Sequence, residues 1–282
     1  MKHVRARFHL IALMAATAVL VAGCAGGMAG KAGGLHVWSA GTSVSYESTV
    51  GQSTFMEIPG QGEMVTTSTI TLDVTIEATA TEREFKFTVD DASISSDAAQ
   101  MGGEIPDVSG LIGLESMIHL DKRGGITEAT NLEGNPSIEE QGGVEAFREQ
   151  LQGFILYLPE GALGPGVEWT REYGFPFTQS GLEMELTSID KYRCIEATTY
   201  EGVPAYKITV SSDAALSGSG EQMGMPLDMA LSGTGDGTFY VETGTGRILM
   251  AESTGTLSGG ISGAGFDIPV EMRMTSTLKQ KK

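Results

Sequence analysis

Cysteine is nearly missing, with two residues in a chain of 282, so a small fold stapled by several disulfides is ruled out. Histidine is as scarce. Of four in all, His3 and His9 stand in the first nine positions, and His36 and His119 are too few for a histidine-built metal centre. Basic residues number 18 against 36 acidic ones, a net charge of -18, which repels phosphate backbones and excludes nucleic acid as a partner. There are 39 Gly and only 9 Pro with no G-x-y period, which excludes collagen and points to many turns and short strands. The chain contains no G-x-S-x-G elbow, HExxH pair, P-loop or D-x-D-x-D-G calcium loop. Neighbouring carboxylates such as Asp90 and Asp91, or Glu139 and Glu140, read as solvated surface, and Asp90 and Asp91, adjacent on a strand, would point to opposite faces and not converge. No enzyme activity, cofactor or metal is therefore expected.

What is present begins at the N-terminus. Lys2, Arg5 and Arg7 precede an apolar run over residues 10–21 that is too short to span a bilayer comfortably. The run closes on Val21-Ala22-Gly23-Cys24, which resembles the lipobox of bacterial lipoproteins cut by signal peptidase II. The resemblance implies that residues 1–23 are a signal peptide, that Cys24 receives a diacylglycerol thioether, and that its freed amine is then acylated, commonly with palmitate. Loss of residues 1–23 removes three basic groups and no acid, which takes the net charge from -18 to -21. Two or more acyl chains, at about 0.8 kcal/mol per buried methylene, hold a protein on a membrane despite such a charge. Ala25 follows the modified cysteine in place of Asp, and in two-membrane bacteria this implies the outer membrane rather than retention at the inner one. With Cys24 taken by lipid, Cys194 has no partner and reads as a small buried apolar residue.

Residues 24–41 are rich in Gly and Ala and read as a flexible tether. Residues 42–282 then read as one β domain, mainly antiparallel, forming a curved sheet or half-open barrel. Alternation is clearest where Ile70, Leu72, Val74 and Ile76 interleave with Thr71, Asp73, Thr75 and Glu77. The strands read as two copies, over about 42–136 and about 163–282. Phe85-Lys86-Phe87-Thr88-Val89 matches Tyr206-Lys207-Ile208-Thr209-Val210, and Ile118-His119-Leu120-Asp121 matches Phe239-Tyr240-Val241-Glu242, both at an offset of 121 residues. Between the copies Val144, Phe147, Leu151, Phe154, Ile155 and Leu158 follow a 3.6-residue stripe opposite Glu145, Arg148, Glu149 and Gln152. This predicts one amphipathic helix over about 140–158, ended by Pro159 and packed against the sheet. His119 and Asp121, two apart on one strand, are placed to interact, although a surface histidine is the plainer reading.

Lipobox, tether, duplicated sheet, bridging helix and the Gly164-Pro165-Gly166-Val167-Glu168-Trp169 entry to the second copy together resemble an uncharacterised family of two-repeat bacterial lipoproteins. In architecture they are also similar to the envelope lipoprotein carriers of the LolA/LolB and LppX/LprG type. No functional residue carries over from that resemblance, but the Met and aromatic content of the inward strand faces points to a non-catalytic binding module of the cell envelope whose concave face holds an apolar ligand such as a lipid or acyl chain. Phe85, Phe87, Tyr206, Ile208, Met272 and Met274 are the candidate cavity lining. The alternative is a structural or interaction protein of the envelope with a filled core, using its anionic surface and strand edges to meet a protein partner.

Overall fold

The structure is a computed structural model describing residues 38–58, 60, 62–97, 105, 107–179, 182–222, 225–263 and 265–282. Cys24 and the lipobox residues Val21, Ala22 and Gly23 fall outside them. Period-two alternation becomes strand throughout: β1 (Ser43–Ile58), β2 (Gly62–Ala78), β3 (Glu84–Ser96), β4 (Glu115–Leu120), β5 (Ile126–Ala129), β6 (Glu168–Gln179), β7 (Leu182–Tyr200), β8 (Val203–Gln222), β9 (Met225–Glu242), β10 (Ile248–Gly263) and β11 (Phe266–Gln280). They form one curved, unclosed antiparallel sheet in the order β5-β4-β3-β2-β1-β11-β10-β9-β8-β7-β6. Among the described residues every pairing is between chain neighbours except one. β1 lies against β11, with Tyr46 opposite Gln280 and Met56 opposite Val270, and this ladder joins two meanders.

Strand β7 shows how the sequence sets the faces. Leu182, Met184, Leu186, Ser188, Asp190, Tyr192 and Cys194 are buried, while Glu183, Glu185, Thr187, Ile189, Lys191 and Arg193 are exposed, so a slip of one residue would turn the whole apolar set to water. A bulge between β2 and β3 alters the simple alternation elsewhere. Asp73 pairs with Asp91 and Val74 with Val89, so Asp90 is the extra residue. Asp90 and Asp91 are consequently both exposed rather than on opposite faces, as bulged strands allow.

The two meanders place their similar strands in equivalent neighbour pairs, β3 with β4 and β8 with β9. Their registers differ. Phe85 faces Ile118, but Tyr206 faces Val241 and not Phe239, the residue a strict 121-residue offset would put there.

The helical segment is shorter than its apolar period predicts. It consists of α1 (Pro136–Glu140) and α2 (Val144–Gln152). Asn135 caps α1 by accepting from the Ser137 amide at 2.9 Å, with Pro136 in the first turn. Gly142 and Gly143, at φ of +105° and +88°, separate the two helices, a conformation that glycine adopts without strain. α2 gives out at Gly153, yet Phe154, Ile155 and Leu158 beyond it remain buried. Their spacing reported the side facing the core and not the helix length. The predicted tether is likewise shorter at its far end. Trp38 is buried, stands edge-on to Phe85 at 5.0 Å, and donates from Nε1 to the Thr245 carbonyl at 3.1 Å.

Candidate functional site: the concave face and its seam

The inner face of the sheet carries two apolar clusters. One gathers Tyr46, Phe85, Phe87, Tyr206 and Ile208 with Phe147, Leu151 and Phe154 from the helical segment. The other lies towards the opposite strand ends and contains Phe175, Met184, Met229, Met272 and Met274. The six residues nominated as cavity lining are thus all buried, none more than 7% exposed, and are split between the clusters: four in the first and the two methionines in the second. The thioethers fill core, as flexible unbranched side chains do.

Between the clusters runs a band of small and polar residues. One cross-sheet row passes through Arg171, Asp190, Ser212, Gly235 and Gly255. Asp190 is fully buried and accepts from the Ser188 hydroxyl at 3.0 Å and the Tyr192 phenol at 2.8 Å, which offsets the cost of enclosing a carboxylate. Burial pushes the Tyr173 phenol above its ordinary range, with Asp190 adding to the shift. Arg171 crosses the Tyr173 ring at 4.2 Å and pairs with Glu149 of α2 at 2.6 Å. Burial is the largest single influence and works against its charge, but the Glu149 carboxylate together with the Tyr173 and Tyr192 phenols outweighs it and holds the guanidinium above its usual value.

That ion pair is half of a seam. The sheet ends on two edges, β5 and β6, and α2 touches both. On the β6 side it is held by Glu149–Arg171. On the β5 side Gln152 acts as a substitute strand: its Oε1 accepts from the Ile126 amide at 2.9 Å, and its Nε2 donates to the carbonyls of Gly124 at 2.9 Å and Ile155 at 3.1 Å. Gln152 is only 2% exposed and does not lie on the wet face where the periodic stripe put it. Tyr157 stands under both Arg123 and Arg171, 4.5 and 5.5 Å from the guanidinium carbons. The two unpaired edges are therefore bridged by a nine-residue helix and a few side-chain contacts.

The remaining candidates separate. His119 turns to Glu84, with Nε2 3.3 Å from the carboxylate. Asp121 instead shapes the following turn, accepting from the amides of Arg123 at 2.7 Å and Gly125 at 2.8 Å, so the His119–Asp121 pair does not form. Cys194 is buried and free, and burial pushes its thiol up to about 11. A groove of about 500 Å³ lies over β6 to β9, bounded by the outward-facing Glu168, Thr170, Lys191, Arg193, Thr209 and Asp236. Among the described residues no group of three or more His, Cys, Asp or Glu is arranged to hold a metal ion.

Sequence reasoning missed the Glu149–Arg171 pair, the Gln152 contacts and the Asp190 network. Asp190 carries a readable signal, since it is a charged residue on the apolar phase of β7. Gln152 carries none, because its role depends on where β5 happens to lie.

No family model and no curated protein matches the chain. Among solved structures it is similar to the hypothetical lipoprotein YmcC of Escherichia coli, at 13% identity over 84% of this chain and 88% of that one, with a TM-score of 0.28. It is also similar to the outer membrane protein OmpT of Vibrio cholerae, at 6% identity over 86% and 100%, TM-score 0.23, and to a mutant Rh. blastica porin, at 12% identity over 85% and 99%, TM-score 0.19. At these scores no residue role or function follows from the likeness.

Proposed function

We propose that the protein is a lipid-anchored, non-catalytic binding module of the cell envelope, directed to the outer membrane where there are two, and that its ligand is an acyl chain or similar apolar group received on the concave face behind α2. The observation that carries this reading is the seam: two edges of an apolar-lined sheet are bridged by one helix instead of by a strand ladder. Moving α2 would expose Phe147 and Leu151, at about 1.5–3 kcal/mol each. A bound chain of about a dozen methylenes returns about 0.8 kcal/mol for each one buried, which is enough to offset that cost. The ordered Lys2, Arg5, Arg7, apolar run and Val21-Ala22-Gly23-Cys24 support the anchor. The turning of His119 and Asp121 to separate structural partners supports the non-catalytic reading.

Native mass spectrometry of protein released gently from membranes tests the ligand. An adduct with the mass of an acyl lipid, beyond the mass of the anchor itself, is expected. Repeated spectra of the adduct-free protein would favour a second reading, which the closely packed Phe85, Phe87, Tyr206 and Ile208 support: a filled envelope protein that works through its anionic surface with a protein partner. Capture of neighbours by crosslinking in intact cells then becomes the decisive measurement.

A further inference from the structure

The strand order places the turns after β2, β4, β7 and β9 and the C-terminal residues at one end of the sheet, and the turns after β1, β6, β8 and β10 at the other. Trp38 fixes the chain to the first end, through Phe85 at the start of β3 and Thr245 in the β9–β10 turn. The same end is held by the Gly41 amide on the Ala78 carbonyl and the Ala78 amide on the Thr42 carbonyl, both 2.8 Å. Cys24 and Trp38 are separated by 14 peptide steps, which at about 3.3–3.6 Å per residue reach at most about 50 Å. Strand β8, with 20 residues, runs about 60 Å at about 3.2 Å per residue. An anchor on Cys24 therefore cannot lie beyond the far hairpin tips.

Charge divides along the same axis. The Trp38 end carries Arg83, Lys122, Arg123, Arg247, Lys281 and Lys282, most of them facing a carboxylate: Arg83 with Glu82, Arg123 with Glu160, Arg247 with Glu242, Lys281 with Asp73 and Lys282 with Glu201. That end is balanced. The far end is not: Glu57, Glu63, Glu183, Glu221, Asp228 and Asp267 are exposed there, and residues 54–67, 176–188, 214–233 and 257–270 contain no Lys or Arg. Near an anionic lipid surface each unit charge is worth about 1 kcal/mol, so a tip bearing only carboxylates is driven away while the balanced end is tolerated.

We propose that the protein stands on the bilayer with the Trp38 end of its sheet against the lipid headgroups and its acidic hairpin tips pointing away, an orientation that rests on the Cys24 anchor proposed above. The test uses the full chain, purified from membranes and reconstituted in vesicles of phosphatidylcholine and phosphatidylglycerol. One added cysteine, Lys122→Cys or Asp267→Cys, carries a fluorophore, while the buried Cys194 stays unlabelled in the folded protein. Headgroup-nitroxide lipids are expected to quench the label at position 122 several-fold more than the label at 267. Equal quenching, as for a sheet lying flat, or stronger quenching at 267 overturns the orientation while leaving the anchor intact. A chain that does not float with the vesicles and lacks the diacylglyceryl mass overturns the anchor, and the orientation with it.

Discussion

At Gly233 a Cβ would stand 1.8 Å from the carbonyl oxygen of Thr256, and at Gly259 it would stand 2.0 Å from that of Ala230. Both sites lie on the β9–β10 ladder, where Gly233 pairs with Leu257 and Gly259 with Leu231, so the obstacle is backbone and cannot swing aside. Gly233→Ala is expected to lower stability by about 3 kcal/mol or more, or to abolish folding. Gly244→Ala, which meets nothing within 4 Å, is expected to stay within about 0.5 kcal/mol of the parent. Urea unfolding of the two variants provides the comparison. The sequence motif Gly233-Thr234-Gly235-Asp236-Gly237 signals a strand that twists or bulges, and it lies within a strand. That these glycines also empty the inner face opposite Ser212 and Ser253 follows from cross-strand register, which no single strand encodes. Asp190 is the reverse case, legible as an exception to its own strand's alternation although its hydroxyl partners were not.

Element boundaries were less legible than element faces. The stripe Val144, Phe147, Leu151, Phe154, Ile155 and Leu158 reports which side chains meet the core, and all but the half-buried Val144 are buried. It could not report the break at Gly142–Gly143 or the exit at Gly153, because a turn packed on the same surface keeps its apolar residues at similar spacing. The β6 edge shows another device with only a local signature. Pro176, opposite Glu185, removes an amide from an outer strand, which fits an edge and not the middle of a sheet. On the β5 side, Gln152 leaves one strand amide and two carbonyls without partners if it is shortened. Gln152→Ala is expected to lower stability by about 3 kcal/mol or more, since each of the three buried polar groups deprived of a partner costs about 1–3 kcal/mol. In hydrogen exchange the Ile126 amide should lose its protection while β8 and β9 keep theirs. Equal loss across all strands would show that the helix is integral to the sheet and not a separable bridge.

For the whole molecule, mainly antiparallel strands in a curved sheet were legible from alternation, and the excess of 36 acidic over 18 basic residues sets its electrostatic behaviour. Folding brings carboxylates such as Glu183, Glu221 and Asp228 to one end, so self-repulsion works against the compact state. Raising ionic strength from about 10 mM to about 300 mM cuts the screening length from about 30 Å to below 8 Å. The melting temperature measured by circular dichroism is expected to rise by several degrees. A flat response would mean that the local ion pairs dominate. What alternation does not convey is the one ladder that links distant parts of the chain. Tyr46 and Gln280, near opposite ends of the polypeptide, are direct neighbours.

A chain emerging in order therefore builds its first meander with the outer side of β1 still unpaired, and only β11, about 200 residues later, covers it. Until β11 arrives, that strip of amides and carbonyls is adhesive to any other extended polypeptide. Shielding of the open β1 edge before β11 pairs with it would therefore raise the yield of folded protein.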